Sequence, residues 1–508
     1  MGIKWRSLAF VLLAVMLVFV TACSESQTAA PENKLPDAKE PSKETITYKV
    51  FRKQSAPGYP KDGGKAKEFL LNFAKERGVT GVDFEVTFAT GDEYTTKLNL
   101  LAAAGNLPDY FDVDLQTLNR FAADGLIIPL DDYLKDMKNY KKFARSSDLE
   151  AARFQGKTFG FPNGFRPEPI NQPAVSTLNI RMDWLEKLKL KIPETLDELY
   201  EIIKAFTNND PDGNSKNDTY GLGSDKSGNF DAIFGAFGIN PTFYHLRDGQ
   251  LKSGSVLPET KEVLALLQKW YKEKLIDPEF MIIDSNQKEE KVINSKLGVY
   301  TGTSWNLDPV SPFFKTFKAT APTAKLDSIA PPKGPKGSRG VPEIAPGNGL
   351  MNAISTKTKD PERWVKFLDA ALDTPGEEPF AGSGVPGVDY IFDKAQNRFS
   401  FPKSADDLLK SGWGNPILFI KVVDRRWITD QTMAKSFEIA NKYVIKNESW
   451  NVVQANRDYP DLNKLWKEYF VKIISGELPI DAWNEYVDKY YKQGGKEVEK
   501  QINEAYKK

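Results

Sequence analysis

Apolar and polar residues alternate from Thr45 to Phe51 (TITYKVF), the two-residue period of a half-buried strand. The pattern then switches back and forth between that period and a helical one. Lys65–Arg77 reads as a helix, Asp83–Phe88 as a second strand, and Asp92–Ala104 as a helix stopped by Gly105-Asn106. Leu107–Asp114 follows as a third strand, with Asp112 and Asp114 at its carboxyl end, and Leu115–Ala123 is helical again. This alternation predicts an α/β lobe built on a largely parallel sheet. Ligands of such sheets gather beyond the carboxyl ends of the strands, so Asp112 and Asp114 are candidate ligand contacts. Carboxylates of a surface turn would fit the same positions.

The sharpest helical signal comes later. Thr195 and Glu198 form a capping box, and Leu196, Leu199, Tyr200, Ile203 and Phe206 behind it make one apolar stripe. A shorter helix carrying Trp184, Leu185 and Leu188 precedes it and is broken at Lys191-Ile192-Pro193. Lys261–Leu275 is a helix with Val263, Leu264, Leu267, Trp270 and Tyr271 on one side, Ser295–Tyr300 a strand, and Pro361–Leu372 a helix with Pro in its first turn. The Pro-, Gly- and Lys-rich stretch 309–346 reads as a loop and returning strand of the first lobe. From Ser404 onward the chain is mainly helical, closing with a charged helix over Lys496–Lys508.

The amino end carries a different pattern. Lys4 and Arg6 precede 13 uncharged apolar residues, Leu8 to Val20, and Val20-Thr21-Ala22-Cys23 ends the run. That is short for a membrane-spanning helix and suits a signal peptide over residues 1–22. Cys23 is the only cysteine in the chain, so no internal disulfide exists and lipidation is its simplest use. Residues 23–43, polar and Pro-bearing, have too little apolar surface for a core and read as a lipid-anchored flexible leash.

Directly after the capped helix, oxygen-bearing side chains recur at alternate positions: Asp210, Asp212, Asn214, Asp218, with Lys216 able to offer its carbonyl and Thr219 closing the set. This is the spacing of a loop folded round a hard cation, with Gly213 allowing the turn, and calcium is the expected ion in a structural role. The loop departs from an EF-hand at Ser215, where that motif has Gly, and at Gly221, where it has a bidentate Glu. Extended chain follows it, giving helix–loop–strand. An Asx-rich turn with solvated carboxylates is the alternative.

Composition narrows the function. The roughly 465 residues after the leash exceed one ordinary core and suggest two lobes. The 69 basic and 69 acidic residues balance, which argues against nucleic acid as partner. One histidine, His245, excludes His-rich zinc sites, and neither GxSxG nor a Walker A motif occurs. Gly382–Gly387 fits GxGxxG formally, but no strand precedes it and Pro386 opposes a helix start. The 31 Phe, 19 Tyr and 10 Trp are more than enough for a core and leave rings to spare for flat sugar-binding surfaces.

The run from Asn179 to Gly223 (NIRMDWLEKLKLKIPETLDELYEIIKAFTNNDPDGNSKNDTYGLG) resembles the large extracellular solute-binding lipoproteins of bacterial ABC importers. That group includes alginate-oligosaccharide binders and the LplA-type lipoproteins. The resemblance implies a type II periplasmic-binding-protein-like α/β fold. Each lobe would be a mixed sheet flanked by helices, with the ligand cleft between them. Lobe 1 is expected over 44–162 plus about 308–385, and lobe 2 over 163–307 plus about 386–508. Gly156–Pro162 would be a hinge crossing, placing Asn163 and Arg166 at the cleft floor, with Arg166 suited to a sugar carboxylate. Trp305 would be the main sugar platform, Tyr390 a second aromatic and Trp413 an opposing wall. The implied ligand is an oligosaccharide, uronates included, captured by a monomer and handed to membrane permease subunits. An exported glycoside hydrolase or a carbohydrate-binding adhesin is the alternative.

Overall fold

Each change of period in the first third of the chain becomes a change of element in the computed structural model. The structure describes residues 44–144, 146–163, 176–309, 311–345, 349–373, 384–396, 398–414, 417–420, 430–450 and 453–506. Nine strands form the two main sheets: β1 (Ile46–Lys53), β2 (Val82–Ala89), β3 (Tyr110–Asp114), β4 (Phe161–Pro162), β5 (Ser176–Arg181), β6 (Tyr220–Gly223), β7 (Leu297–Thr303), β8 (Leu326–Ile329) and β9 (Leu350–Ile354).

The first sheet runs β2-β1-β3-β9-β4. β1 is parallel to both β2 and β3, whereas β9 is antiparallel to both β3 and β4. One face is filled by Tyr48, Phe84, Trp364, Phe367 and Phe419, the other by Phe51, Phe111, Leu118 and Met351. The alternation read in TITYKVF thus becomes burial on both faces, because helices cover the sheet on each side.

The second sheet runs β8-β5-β7-β6, with β5 antiparallel to β8 and β7, and β7 parallel to β6. The capped helix forms as Leu196–Asn208 with its capping box intact, and it buries Leu199, Ile203 and Phe206. Gly298 in β7 explains how closely it sits: a Cβ there would lie 2.2 Å from the Phe206 ring. The helices Pro258–Lys272, Asp461–Ser475 and Ala482–Tyr490 share this core through Trp270, Tyr469 and Trp483. A π turn, Tyr491–Gly495, joins the last of them to the closing helix Lys496–Tyr506. Among the described residues, no helix is long and apolar enough to cross a membrane.

Three expectations are corrected here. Gly156–Pro162 is not a crossing: it holds one arm of the hairpin Arg153–Phe154/Lys157–Thr158 and then β4, the edge of the first sheet. Residues 308–329 belong to the second lobe. β8 pairs with β5, and Leu326, Phe313 and Phe317 cover an apolar face of that sheet which would otherwise meet water. The boundary near 386 fails in the other direction. Trp413, Ile417, Phe419 and Ile420 pack into the first lobe, where the Phe419 carbonyl accepts the Tyr110 hydroxyl at 2.8 Å. The described residues on either side of 163–176, 329–350 and 420–430 therefore belong to different lobes.

Candidate functional site

Three strands of the first sheet, with the residue that follows β4, bring polar side chains to one buried point. Arg52 from β1 pairs with Asp112 from β3 at 3.3 Å, and the two are 1% and 2% exposed. The same guanidinium donates to Asn352 Oδ1 on β9 at 3.1 Å and to the carbonyls of Leu418 and Phe419. Asp112 Oδ2 accepts the Lys53 backbone N–H at 2.7 Å, and Oδ1 accepts Asn163 Nδ2 at 3.3 Å. Asp112 and Asn163, expected as ligand contacts, are thus bonded to each other, with Asp112 also paired to Arg52. Both are buried, and Asp112 has its charge satisfied by protein. A similar pair closes the second sheet: Lys288 Nζ lies 2.7 Å from Asp225 Oδ2 and donates to the Thr301 carbonyl at 3.1 Å. Burial pushes the Asp225 carboxyl up, yet Lys288 and the hydrogen bonds from Ser227 together hold the group below the usual range.

Asp114 differs. It caps the helix Leu115–Ala123 by accepting the Thr117 N–H at 2.6 Å, and it is only partly buried. Together with Leu115 and Gln116 it lines a cavity of about 450 Å³. Tyr244, Asn456, Tyr459, Asn463 and Trp466 of the second lobe face it across the same cavity. The site is therefore inter-lobe, lies at the carboxyl end of β3, and combines one carboxylate and side-chain amides with aromatic surface. A larger cavity of about 880 Å³ is lined by Tyr271, Lys274, Ile276 and Leu478. It also touches Tyr220, the first residue of β6, so it lies at the amino end of a strand and within one lobe.

The aromatic residues expected in the cleft are placed differently. Trp413 is 2% exposed and meets Phe69 edge-on at 5.3 Å inside the first-lobe core. Tyr390 is also 2% exposed, its ring against Phe399 at 5.8 Å. Both are corrected from cleft walls to packing residues. Trp305 is 37% exposed and edge-on to Phe437 at 5.0 Å, but it is not among the residues lining the inter-lobe cavity. Arg166 and Cys23 lie outside the described residues. Tyr459 and Trp466 were missed. The Gly494-Gly495 pair in an otherwise helical stretch is the one local signal near Tyr459, since a Cβ at 494 would meet its ring.

The oxygen-rich loop is drawn in on itself. Asp210 accepts the backbone N–H groups of Gly213, Asn214 and Ser215 at 3.0–3.1 Å. Asn214 Nδ2 bridges Asp212 at 2.7 Å and Asp218 at 3.1 Å. Lys296 holds the other Asp218 oxygen at 2.5 Å and keeps that carboxyl below its usual range. Asp212 is pushed up by burial, then by its hydrogen bond with Asp210 and by the nearby Asp218. Carboxylate oxygens are the donors that a hard divalent cation takes. As they stand, however, no three of His, Cys, Asp or Glu among the described residues are gathered closely enough to hold one. Thr219 is corrected: its hydroxyl is buried and donates to the Phe206 carbonyl at 2.8 Å, away from the loop. Lys216 remains solvent-exposed on the loop, with its N–H bonded to Asn214 Oδ1 at 2.7 Å.

Comparison with known proteins agrees with this architecture. The model of the bacterial extracellular solute-binding protein family matches residues 70–388, more than half of the chain. The polygalacturonan/rhamnogalacturonan-binding protein YtcQ of Bacillus subtilis is 26% identical over 100% of this chain and 99% of its own length. The fructooligosaccharide ABC transporter substrate-binding protein FusA of Streptococcus pneumoniae is 30% identical over 80% of this chain and 75% of its own. A structure of an EF-hand mutant of FusA is among the structural neighbours. The crystal structure of the alginate-binding protein AlgQ2 without calcium ion superposes with a TM-score of 0.71 at 21% identity, covering 92% of this chain and 99% of that one. The two-lobed fold is thus that of these binding proteins, and the chain belongs to the bacterial extracellular solute-binding protein family.

Proposed function

We propose that this protein captures an oligosaccharide between its lobes and delivers it to the permease of an ABC importer. The observation that carries the reading is the inter-lobe cavity, with Asp114 on one wall and Tyr459 and Trp466 on the other. A sugar offers hydroxyls at its edges and apolar C–H groups on its faces, and such a cavity meets both. The chain performs no bond chemistry in this reading. Ligand binds the closed arrangement of the lobes better than the open one and shifts the population towards it. The saccharide-binding relatives YtcQ and FusA support the substrate class.

The test is a thermal-shift screen of the purified chain against plant, microbial and algal oligosaccharides. A ligand at 100 times its Kd stabilises the native state by about 2.7 kcal/mol. Failure of every saccharide to raise the melting temperature, together with release of reducing ends from any of them, would favour the hydrolase instead. Cys23 is the proposed lipid anchor to the outer face of the cytoplasmic membrane. A fatty-acid probe should label the wild-type chain and leave Cys23→Ala unlabelled. The loop at Asp210, Asp212, Asn214 and Asp218 is the proposed calcium site. Its ligands would be the three carboxylates, the Asn214 amide oxygen and the Lys216 carbonyl, with the ion structural and remote from the inter-lobe cavity.

A further inference from the structure

Tyr459 sits between the short helix Gln454–Asp458 and Pro460, immediately before the helix Asp461–Ser475. It is 37% exposed, high for an aromatic residue in this helical region. What holds it is the π turn. Gly494 has φ 118°, and a Cβ built there would lie 2.2 Å from Tyr459 Cδ1 and Cγ and 2.6 Å from Cδ2. Near-equal distances to three consecutive ring carbons put that Cβ position over the ring face and not beyond its edge. One face of the ring therefore rests flat on the Gly494 backbone, and the exposed part borders the inter-lobe cavity. A side chain at 494 would be strained by its φ and would also lift the ring.

The ring is also fixed along the chain. The Tyr459 N–H donates to the Ala455 carbonyl at 3.0 Å, and the Ala455 N–H donates to Gln501 Oε1, also at 3.0 Å, on the helix that follows the π turn. Ala455 is itself fully buried. The platform thus stands on two helices and the turn before them, as a pre-organised binding group should. Across the cavity, Asp114 uses one oxygen for its helix cap, and its other oxygen has lone pairs for sugar hydroxyls. Asp114 is the only charged side chain among the described residues lining the cavity. A uronate there would meet a like charge, with no cation among the described lining residues to offset it.

We infer that Tyr459, positioned by Gly494, is the stacking platform of the inter-lobe site and that the residue stacked on it is an uncharged sugar. This rests on the oligosaccharide reading above and refines it. The full chain is titrated calorimetrically with fructo-, xylo- and galacto-oligosaccharides, and with galacturonan and alginate oligomers. An uncharged oligosaccharide is expected to bind and the uronates to bind at least tenfold more weakly. Tyr459→Ala should weaken the uncharged ligand by about 30-fold or more, and Tyr459→Trp should stay within about threefold. Gly494→Ala should weaken it similarly, and Gly494→Ala combined with Tyr459→Ala should be no worse than Tyr459→Ala alone, because both remove one platform.

Tyr459→Ala binding within threefold of wild type, with its melting temperature unchanged, overturns the inference. So does tighter binding of the uronates. If Trp305→Ala loses the ligand while Tyr459→Ala keeps it, saccharide capture stands and only the placement falls. If no saccharide of either charge binds the wild-type chain, the function itself is wrong and the inference falls with it.

Discussion

Asp112→Ala separates a buried structural pair from a ligand contact, since the two roles predict opposite outcomes. The substitution leaves the Arg52 guanidinium, 1% exposed, with only Asn352 and two backbone carbonyls as partners. It also strips the Lys53 N–H and the Asn163 amide of their acceptor. Breaking a buried ion pair from one side costs about 3–5 kcal/mol, because the remaining charge stays desolvated. The lost hydrogen bonds fall within that figure, as they involve the same carboxylate. For a lobe of this size, each kcal/mol lowers the melting temperature by roughly 2–4 °C, so the first lobe should melt about 6–20 °C lower. Urea unfolding followed by circular dichroism measures the loss. Hydrogen exchange on β1 and β3 assigns it to the first lobe. Asp112→Asn should recover little, since an amide cannot neutralise Arg52. The reasoning is refuted if Asp112→Ala loses less than about 1 kcal/mol while saccharide affinity collapses, for then the carboxylate faces the ligand.

Two further outcomes follow from other parts of the structure. Calcium should raise the melting temperature of the full chain and EDTA should lower it, while saccharide affinity measured well below the melting temperature stays unchanged. Asp212→Asn should abolish the calcium effect, and a calcium response that survives this change would remove the loop from consideration. His245 is buried and its imidazole is held below its ordinary range, chiefly by burial. Its ring nitrogen lies 2.9 Å from the Asn240 carbonyl. A group with a depressed folded pKa takes up its proton more readily when unfolded, so stability should fall as pH drops below about 6.5. His245→Gln should flatten that limb of a pH series of urea midpoints, and an unchanged slope would show that another group is responsible.

What was legible in the sequence is what is local. Leu196–Asn208 was found with its cap because Thr195, Glu198 and the apolar stripe lie within one short segment. The strands and helices up to Asp114 were found for the same reason. What failed is non-local. Nothing near Leu326–Ile329 states that it pairs with Ser176–Arg181, and its Pro- and Gly-rich surroundings suggested a loop. Trp413 looked available because the ring it packs on, Phe69, lies far from it in sequence. Asp112 was read as a strand-end carboxylate, and the arginine that claims it stands 60 residues earlier. Tyr459 is not legible in the sequence because Gly494, the residue its ring packs on, lies far along the chain.

Assembly of the first lobe from segments far apart in sequence constrains the order in which the molecule can fold. β9 must enter between β3 and β4, and the Arg52 network joins residues 300 and 367 positions apart in sequence. For a chain delivered amino end first, from a ribosome or through a membrane pore, the first sheet lacks a strand until Leu350–Ile354 has emerged, and its core and Arg52 network stay open until Leu418 and Phe419 follow. Contacts of such separation must overcome a large loop-closure entropy before they contribute anything, which makes folding slow. The early segments thus remain incomplete while the later ones arrive, keeping the nascent chain in a threadable state for most of its delivery.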